Sequence, residues 1–220
     1  MALILNIETA TKKCSVALAE SGKLIALKEI AEENFSHAEK LHVFIESLLK
    51  ENAIDIKELS AVAVSKGPGS YTGLRIGVSA AKGLCYALEI PLIAIDTLEV
   101  IARQLVIEHD ALIVPMIDAR RMEVFARFFD ADYKAVSETK AIIIDKDTFS
   151  LIDKKMYMIG DGAPKCKEIL DASKFIYCED IIFPSANEMV AISYDKYKKS
   201  DIEDVAYFEP FYLKDFMLNK

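Results

Sequence analysis

Residues 65–77, "SKGPGSYTGLRIG", hold four of the chain's eight glycines, and such density allows a backbone to approach a ligand closely. A phosphate-binding P-loop needs GxxxxGK followed by Ser or Thr, but Leu74 follows Gly73. The dinucleotide fingerprint GxGxxG fails because Gly67, Gly69 and Gly73 are spaced GxGxxxG. A nucleophile elbow, GxSxG, fails because "GSYTG" places its serine one position early. The segment therefore predicts none of these three kinds of active site.

The spacing of these glycines predicts a different role. Gly69, Gly73 and Gly77 recur every four residues, and Ala81 continues this glycine stripe along one side of a predicted helix. Glycine inside a helix costs about 1 kcal/mol relative to alanine, so the repetition indicates a close backbone contact. Two interpretations stay open. The helix packs tightly on its own sheet, or it receives a helix of another molecule.

A second group of candidate residues follows the first predicted strand. Glu8, Thr9 and Thr11 lie in a predicted hairpin turn, where a carboxylate and hydroxyls can meet a metal-bound phosphate. The same residue types are also ordinary turn formers. The turn is therefore a candidate nucleotide contact with a structural alternative.

A third group follows a buried strand in the second half of the chain. Asp118, Arg120 and Arg121 stand together in "MIDARRMEVF". An Asp and Arg cluster at a strand end is suited to an anion or RNA contact, although a surface ion-pair network is the commoner use. "GDGA" at 160–163 adds a glycine turn that could pass near a nucleotide.

The histidines and cysteines predict no metal centre. His37 and His42 are five positions apart, which separates them by about 140° around a helix and prevents them from sharing one ion. No HExxH motif occurs. The four cysteines form no CxxC pair, and we expect them to be reduced thiols.

Composition limits the class of protein. Of 220 residues, 52% are hydrophobic and 28% charged, so the chain can bury a sizeable core. The net charge of -8 is opposite to that of a free-standing nucleic-acid binder, which needs Lys and Arg to neutralise phosphates. The opening "MALILNIETATKK" is interrupted by Asn6 and Glu8 and predicts a strand rather than a signal peptide. With no long apolar run, we expect a cytoplasmic protein without a membrane span.

The candidate residues must be positioned by a repeated pattern of strands and helices. Strands are predicted at 2–8, 14–20, 24–30, 59–65, 91–96, 111–119, 123–130 and 141–145, and residues 155–163 predict a strand that runs into a glycine turn. Helices are predicted at 37–51, with Ser36 and Glu39 as a capping box, and at 71–88, 97–108 and 185–199. The chain contains the same series twice: several strands, then a helix, a strand and a second helix. The pattern predicts two α/β lobes, residues 1–105 and 106–220, with a final segment that could return to the first lobe.

The order of these features follows the plan of actin-like ATPase folds, and the motifs resemble one family. "ILNIETATKKCSVAL", "SKGPGSYTGLRIG", "IDARRMEVF", "GDGA" and "PFYLK" occur in the order found in the TsaB (YeaZ) family, a relative of the TsaD/Kae/Gcp family. The resemblance covers essentially the whole chain, and "GPGSYTGLRIG" is its most specific part. It implies an α/β, two-lobed actin-like (ASKHA, ribonuclease H-like) fold with mixed sheets flanked by helices.

The resemblance also implies a function. Members of that family are non-catalytic accessory subunits in the threonylcarbamoylation of adenosine beside the anticodon of tRNA, and they lack the metal-binding histidine motif of TsaD. Each pairs through first-lobe helices with TsaD, or with a second copy when TsaD is absent, and the ATPase TsaE joins the assembly. The matching helices here are 36–50 and 70–88. The implied partner-interface residues are His37, Leu41, Gly69, Tyr71, Gly73, Gly77 and Ala81.

The resemblance implies no cofactor and no membrane partner, with tRNA met only inside the complex. Any vestigial nucleotide or anion contact would use Thr9, Thr11, Asp118 and Arg120. Glu8 stands where many relatives have Asp, which weakens a nucleotide-metal role for the turn. Met122 and Phe125 replace the Gly and Tyr of some members.

Two other functions compete with this interpretation. The first is an autonomous nucleotide-dependent enzyme of the same fold, an ATPase or small kinase, which requires a phosphate loop that the chain lacks. The second is a peptidase, which requires a metal or an activated nucleophile, and neither constellation is found in the sequence.

Overall fold

The computed structural model describes residues 1–32 and 37–214, which form two compact units. The first contains residues 1–97 and 184–212, and the second contains 98–183 with the short stretch 213–214. The boundary lies between Thr97 and Leu98. The sequence pattern predicts a boundary near residue 105.

A mixed five-stranded sheet forms the centre of the first unit. Its strands are β1 (Leu3–Glu8), β2 (Lys13–Glu20), β3 (Lys23–Ala31), β4 (Ala61–Gly67) and β5 (Leu92–Asp96), and its helices are α1 (His37–Glu51), α2 (Tyr71–Leu88) and, from the returning segment, α4 (Ala186–Lys198). The strand order is β3-β2-β1-β4-β5. β1, β2 and β3 form an antiparallel meander, whereas β4 and β5 run parallel to β1.

The core of the first unit forms where α1 and α2 cover this sheet. Alternate residues of β1, among them Leu5 and Ile7, join one buried cluster with Leu41 of α1 and Val78 of α2. This alternation is the period of a strand that is buried on one face by those helices. The helix predicted at 71–88 has those bounds in the structure, and Ser70 caps it by accepting the amide of Gly73.

The second unit repeats the plan of the first. It contains α3 (Thr97–Ala102), whose first residue belongs to the first unit, and β6 (Leu112–Asp118), β7 (Glu123–Ala126), β8 (Lys140–Ile143), β9 (Met156–Ile159) and β10 (Phe175–Tyr177). The strand order is β10-β9-β6-β7-β8, with an antiparallel meander through β6, β7 and β8 and parallel pairs of β6 with β9 and β9 with β10. The predicted α/β fold with mixed sheets flanked by helices is confirmed.

Several expectations differ from the structure in detail. β7 ends at Ala126 although the predicted strand ran to residue 130, and β10 was not predicted. Residues 97–108 were expected to be helical, but α3 ends at Ala102 and hydrogen-bonded turns follow it. Leu98 and Ile101 then join the second unit's core beside Ile113, which explains the early boundary. The capping role predicted for Ser36 lies outside the described residues. None of the helices within 1–32 and 37–214 has the length and apolar character that a membrane span requires.

Candidate functional site

The glycine stripe packs on the turn between β1 and β2. A Cβ added at Gly69 would lie 2.3 Å from the carbonyl oxygen of Ala10, and one at Gly73 would lie 2.2 Å from that of Thr9. At Gly77 the added atom would lie 2.2 Å from Oγ1 of Thr9. All three distances are shorter than real Cβ contacts, so only glycine fits under this turn.

This packing corrects the prediction that the glycine stripe receives a partner helix. The space beside the glycines is occupied by the chain's own turn. Ala81, the last member of the stripe, is completely buried in the same unit. Periodicity identified the close backbone contact, but that contact is internal.

Two further residues of the predicted interface are also interior. His37 is 1% exposed and Leu41 is 0% exposed. Nε2 of His37 lies 2.7 Å from the carbonyl oxygen of Thr11, so the imidazole tethers the β1–β2 turn to the start of α1. Burial lowers the pKa of His37, partly offset by that hydrogen bond. Neither side chain is accessible to another molecule.

The hydroxyls of the turn are occupied by internal contacts or buried. Thr9 is fully buried, and its Oγ1 donates a 2.8 Å hydrogen bond to the carbonyl oxygen of Gly73. Thr11 is 4% exposed, and its Oγ1 has no hydrogen-bond partner among the described residues. The structure therefore brings Thr9, Thr11, His37 and the glycine stripe together as a packed turn rather than an open cradle.

Glu8 is the most perturbed ionisable group of this turn. Its Oε1 accepts the amide of Ala10 at 2.6 Å and the hydroxyl of Ser65 at 2.9 Å, whereas its buried Oε2 has no partner among the described residues. Burial raises the pKa of Glu8 to about 7, against the lowering effect of the two hydrogen bonds and of Lys13. Ser65 had no sequence signal that marked it as a partner.

A groove on the outer side of α1 and α2 is accessible instead. This outer groove has a volume of about 570 Å³ and is lined by Ala38, His42, Arg75, Ile76, Ser79, Ala80, Gly83 and Leu84. Gly83 is exposed, and apart from its chain neighbours and the nearby backbone of its own helix, no described atom lies within 4 Å of an added Cβ. Gly83 therefore carries the cost of a helical glycine without an internal packing reason. It could have been recognised in the sequence as the helical glycine that falls off the stripe.

Aromatic contacts hold the basic rim of the outer groove. Tyr71, which was predicted at the interface, is half-buried, and its ring centroid lies 4.9 Å from that of Tyr212. The guanidinium of Arg75 lies 4.4 Å from the Tyr71 centroid, and its Nε donates to the Tyr212 hydroxyl at 3.2 Å. The returning segment thereby orients a cation at the edge of the groove.

The same segment is fastened along α2. Nζ of Lys82 donates to the carbonyl oxygens of Ala206 and Phe208 at 3.2 and 2.9 Å. The amide of Phe211 donates to the carbonyl oxygen of Lys66 at 2.7 Å. The outer groove is thus bordered by a segment distant in sequence.

In the second unit, Asp118 and Arg120 come together at the β6–β7 turn. Oδ1 of Asp118 accepts the amide of Arg120 at 2.8 Å and also pairs with Lys165. Arg120 is exposed. The sequence placed these residues in one cluster but did not identify Lys165 as their partner.

The described residues contain no metal-binding cluster. Within 1–32 and 37–214, no group of three His, Cys, Asp or Glu side chains could hold an ion. His37 and His42 differ in environment, one buried and one exposed on the outer groove. All four cysteines are free thiols, and burial raises the pKa of Cys14, Cys85 and Cys166 to about 11.

Comparison with known proteins identifies the family. Residues 29–213 match the family model "TsaD: tRNA N6-adenosine threonylcarbamoyltransferase". The tRNA threonylcarbamoyladenosine biosynthesis protein TsaB of Buchnera aphidicola subsp. Acyrthosiphon pisum is 30% identical over 183 residues, covering 82% of this chain and 79% of that protein. The chain belongs to the TsaB branch of the TsaD family. The TsaB protein of Escherichia coli is 27% identical and covers 96% of this chain and 94% of its own length.

Solved structures agree with the TsaB assignment at the level of the fold. YeaZ from Pseudomonas aeruginosa superposes with a TM-score of 0.84 at 22% identity, over 97% of this chain and 100% of that one. The ethanolamine utilization protein EutJ from Carboxydothermus hydrogenoformans superposes with a TM-score of 0.54 at 10% identity, over 86% and 89% of the two chains. The predicted actin-like fold of this TsaB family member is confirmed.

Proposed function

We propose that this chain is a non-catalytic accessory subunit in the threonylcarbamoylation of adenosine in tRNA. The proposal is supported by the relatives named as tRNA threonylcarbamoyladenosine biosynthesis proteins and by the TsaD family match. Its partner is a TsaD-type catalytic subunit, a TsaE-type ATPase joins the assembly, and the chain pairs with a second copy when alone. The assembly works in the cytoplasm and meets tRNA as a complex.

The observation that carries this proposal is the outer groove beside the open glycine, Gly83. Most of its lining is small or apolar, so a helix laid into it would bury apolar surface at close range. Val43 of α1 and Tyr86 of α2 are 56% and 83% exposed on the same two helices. Arg75 supplies a positioned cation at the rim for a carboxylate of the partner.

Docking acts on the partner by selecting one of its conformations. A bound subunit shifts a conformational equilibrium only as far as it binds one state more tightly than another. A rigid face built from two helices on a sheet provides such a difference in binding. On the side that faces α2, the β1–β2 turn is filled by the glycine stripe and by the contact of Thr9 with Gly73.

A reconstituted modification assay tests the proposal. Partner proteins and tRNA are assayed with no added chain, with the wild-type chain, with Gly83→Leu and with Ala191→Leu. Ala191 is exposed on α4 and gives the matched control, an added leucine away from the outer groove. We expect modification to require the chain, to survive Ala191→Leu and to fall at least about tenfold with Gly83→Leu, because a leucine side chain prevents close helix approach.

The melting temperature of Gly83→Leu provides the folding control. Gly83→Leu removes a helix-breaking residue from a site with open space, so its Tm should match or exceed that of the wild type. Modification that proceeds equally well without the chain would overturn the accessory role. Normal modification and normal association with Gly83→Leu would leave the role standing but place the docking face elsewhere.

A further inference from the structure

The turn between β6 and β7 presents two adjacent arginines in an unusual backbone conformation. Arg120 and Arg121 have φ values of 68° and 49°, the left-handed region that normally takes Gly, Asn or Asp. Both side chains are exposed. The turn is closed by hydrogen bonds from the amide of Ala119 to the carbonyl of Glu123, at 3.1 Å, and from the amide of Glu123 to the carbonyl of Arg120, at 3.2 Å.

Lys165 stabilises this conformation through three contacts with the turn. Its Nζ donates to the carbonyl oxygens of Arg121 at 2.8 Å and Glu123 at 2.6 Å, and it also pairs with the carboxylate of Asp118. Asp118 in turn accepts the amide of Arg120, while its own amide donates to Asp161 at 2.9 Å. A conformation that is unfavourable for arginine persists only where its surroundings determine it, and such outliers concentrate at functional positions.

The acidic side chains of this arginine hairpin, residues 118–123, already have basic partners. Asp118 pairs with Lys165, and Glu123 pairs with Lys214. Neither Arg120 nor Arg121 forms a side-chain hydrogen bond or ion pair with any other described residue. The two guanidinium groups are therefore the available charges at the tip, on a chain whose net charge is -8.

We infer that the arginine hairpin binds phosphodiester groups of RNA. Guanidinium groups match phosphate oxygens with paired hydrogen bonds, and their charge does not titrate in the physiological range. The inference rests on the proposed function, in which tRNA is the substrate of the assembly. Two contacts give weak affinity by themselves, which is consistent with an acidic chain that adds to the RNA surface of a larger complex.

Salt-dependent binding of an unmodified tRNA transcript tests this site in two arms. The first uses the purified chain alone at low salt, and the second uses the chain with its partner proteins. The double variant Arg120→Gln/Arg121→Gln is compared with Lys140→Gln/Lys154→Gln. The control lysines are exposed at the opposite end of the same sheet. Lys140 begins β8 and pairs with Ala126 at the far end of β7, and residue 154 precedes β9.

We expect the arginine variant to bind tRNA more weakly and to reduce the slope of log K against log salt by about 1.4 to 1.8, the loss of two phosphate contacts. The lysine control should leave the slope unchanged. Arg120→Asn checks folding, because asparagine tolerates the left-handed conformation and should lower tRNA affinity without lowering Tm. Inorganic phosphate and ATP as competitors distinguish an RNA site from a free-anion site.

The outcomes separate this inference from the proposed function. Unchanged affinity and slope in both arms overturn the RNA site, even where the wild-type chain supports modification. If the arginine variant no longer associates with the partner proteins but still binds tRNA normally, the RNA site is overturned and the hairpin instead contacts an acidic protein surface. If ATP displaces tRNA with an affinity equal to that of tRNA, the RNA site is overturned and the hairpin instead binds a free nucleotide. A change in slope with the chain alone supports the site even where modification does not require the chain.

Discussion

At the scale of single residues, the buried carboxyl of Glu8 should make stability depend on pH. Burial raises its pKa from 4.5 to about 7, so between these values the folded chain holds a proton that the unfolded chain has lost. Stability from this group is therefore present below pH 4.5 and is lost as the pH rises to about 7. This shift in pKa corresponds to about 3 kcal/mol of the free energy of unfolding. Urea unfolding of wild type and Glu8→Gln at pH 5, 6, 7 and 8 measures the effect.

The variant should lose most of that pH dependence because its amide does not ionise. His37 supplies an opposite trend, since its lowered pKa removes stability as the pH falls below 6.5, and it is present in both proteins. Subtracting the two stability curves isolates Glu8. Parallel curves for wild type and variant would mean that Glu8 is ionised in the folded chain.

Lys165 shows how one side chain can determine a turn. It is only 21% exposed and serves two carbonyls and a carboxylate of the arginine hairpin, whereas Lys167, two residues on, is 57% exposed and pairs with Glu179. Lys165→Met should lower the free energy of unfolding by about 1.5–3 kcal/mol, because it leaves polar groups without their charged donor. Lys167→Met should cost at most about 1 kcal/mol. Equal costs in urea unfolding would show that the three contacts of Lys165 add nothing beyond a surface ion pair.

At the scale of elements, two glycines of α2 should respond oppositely to the same substitution. Gly73→Ala places a methyl group 2.2 Å from the carbonyl oxygen of Thr9 and should cost about 1–3 kcal/mol or more, since backbone must move. Gly83→Ala meets open space and should stabilise the helix by up to about 1 kcal/mol. Chemical denaturation of both variants measures the difference. Similar effects of the two would contradict the inward direction of the glycine stripe.

This contrast shows what a sequence pattern can predict about α2. The bounds at 71–88 and the shared side of Gly73 and Gly77 follow from local chemistry and helical period. What fills the space beside the glycines depends on the β1–β2 turn, which is more than fifty residues away in sequence. Periodicity carries no information about that neighbour. For the same reason, Ser65 and Lys165 were not identified as the partners of Glu8 and Asp118.

At the scale of the whole molecule, the sequence predicts the repeated plan of strands and helices, but it does not predict where one unit ends and the other begins. The predicted strands form a run of five and a run of four, which correspond to the two sheets of the structure, although the edge strand β10 was not predicted. The boundary at Thr97 depends on which core receives Leu98 and Ile101, a choice made by long-range packing. The return of residues 184–212 to the first unit is a similar case. α4 packs on β1 and β2, although nothing in its own sequence specifies which of two similar sheets it joins.

The last prediction concerns nucleotide binding by the isolated chain. A ligand at a hundredfold excess over Kd stabilises a protein by about 2.7 kcal/mol, which for a chain of this size raises Tm by about 5–10 °C. We expect ATP with Mg²⁺ at about 1 mM to shift Tm by less than about 1 °C. Thr9 is hydrogen-bonded to Gly73, and the space at Gly69 is taken by Ala10, so a phosphate has no room between the turn and α2.

Differential scanning fluorimetry and a phosphate-release assay check this expectation, with Thr9→Ala and Asp118→Ala as matched variants. A saturable rise in Tm, together with turnover that both variants abolish, would favour the autonomous nucleotide-dependent enzyme over the accessory subunit. A rise that persists in both variants would instead locate a nucleotide away from these residues. Absence of both signals agrees with a β1–β2 turn that is packed against its own helix α2.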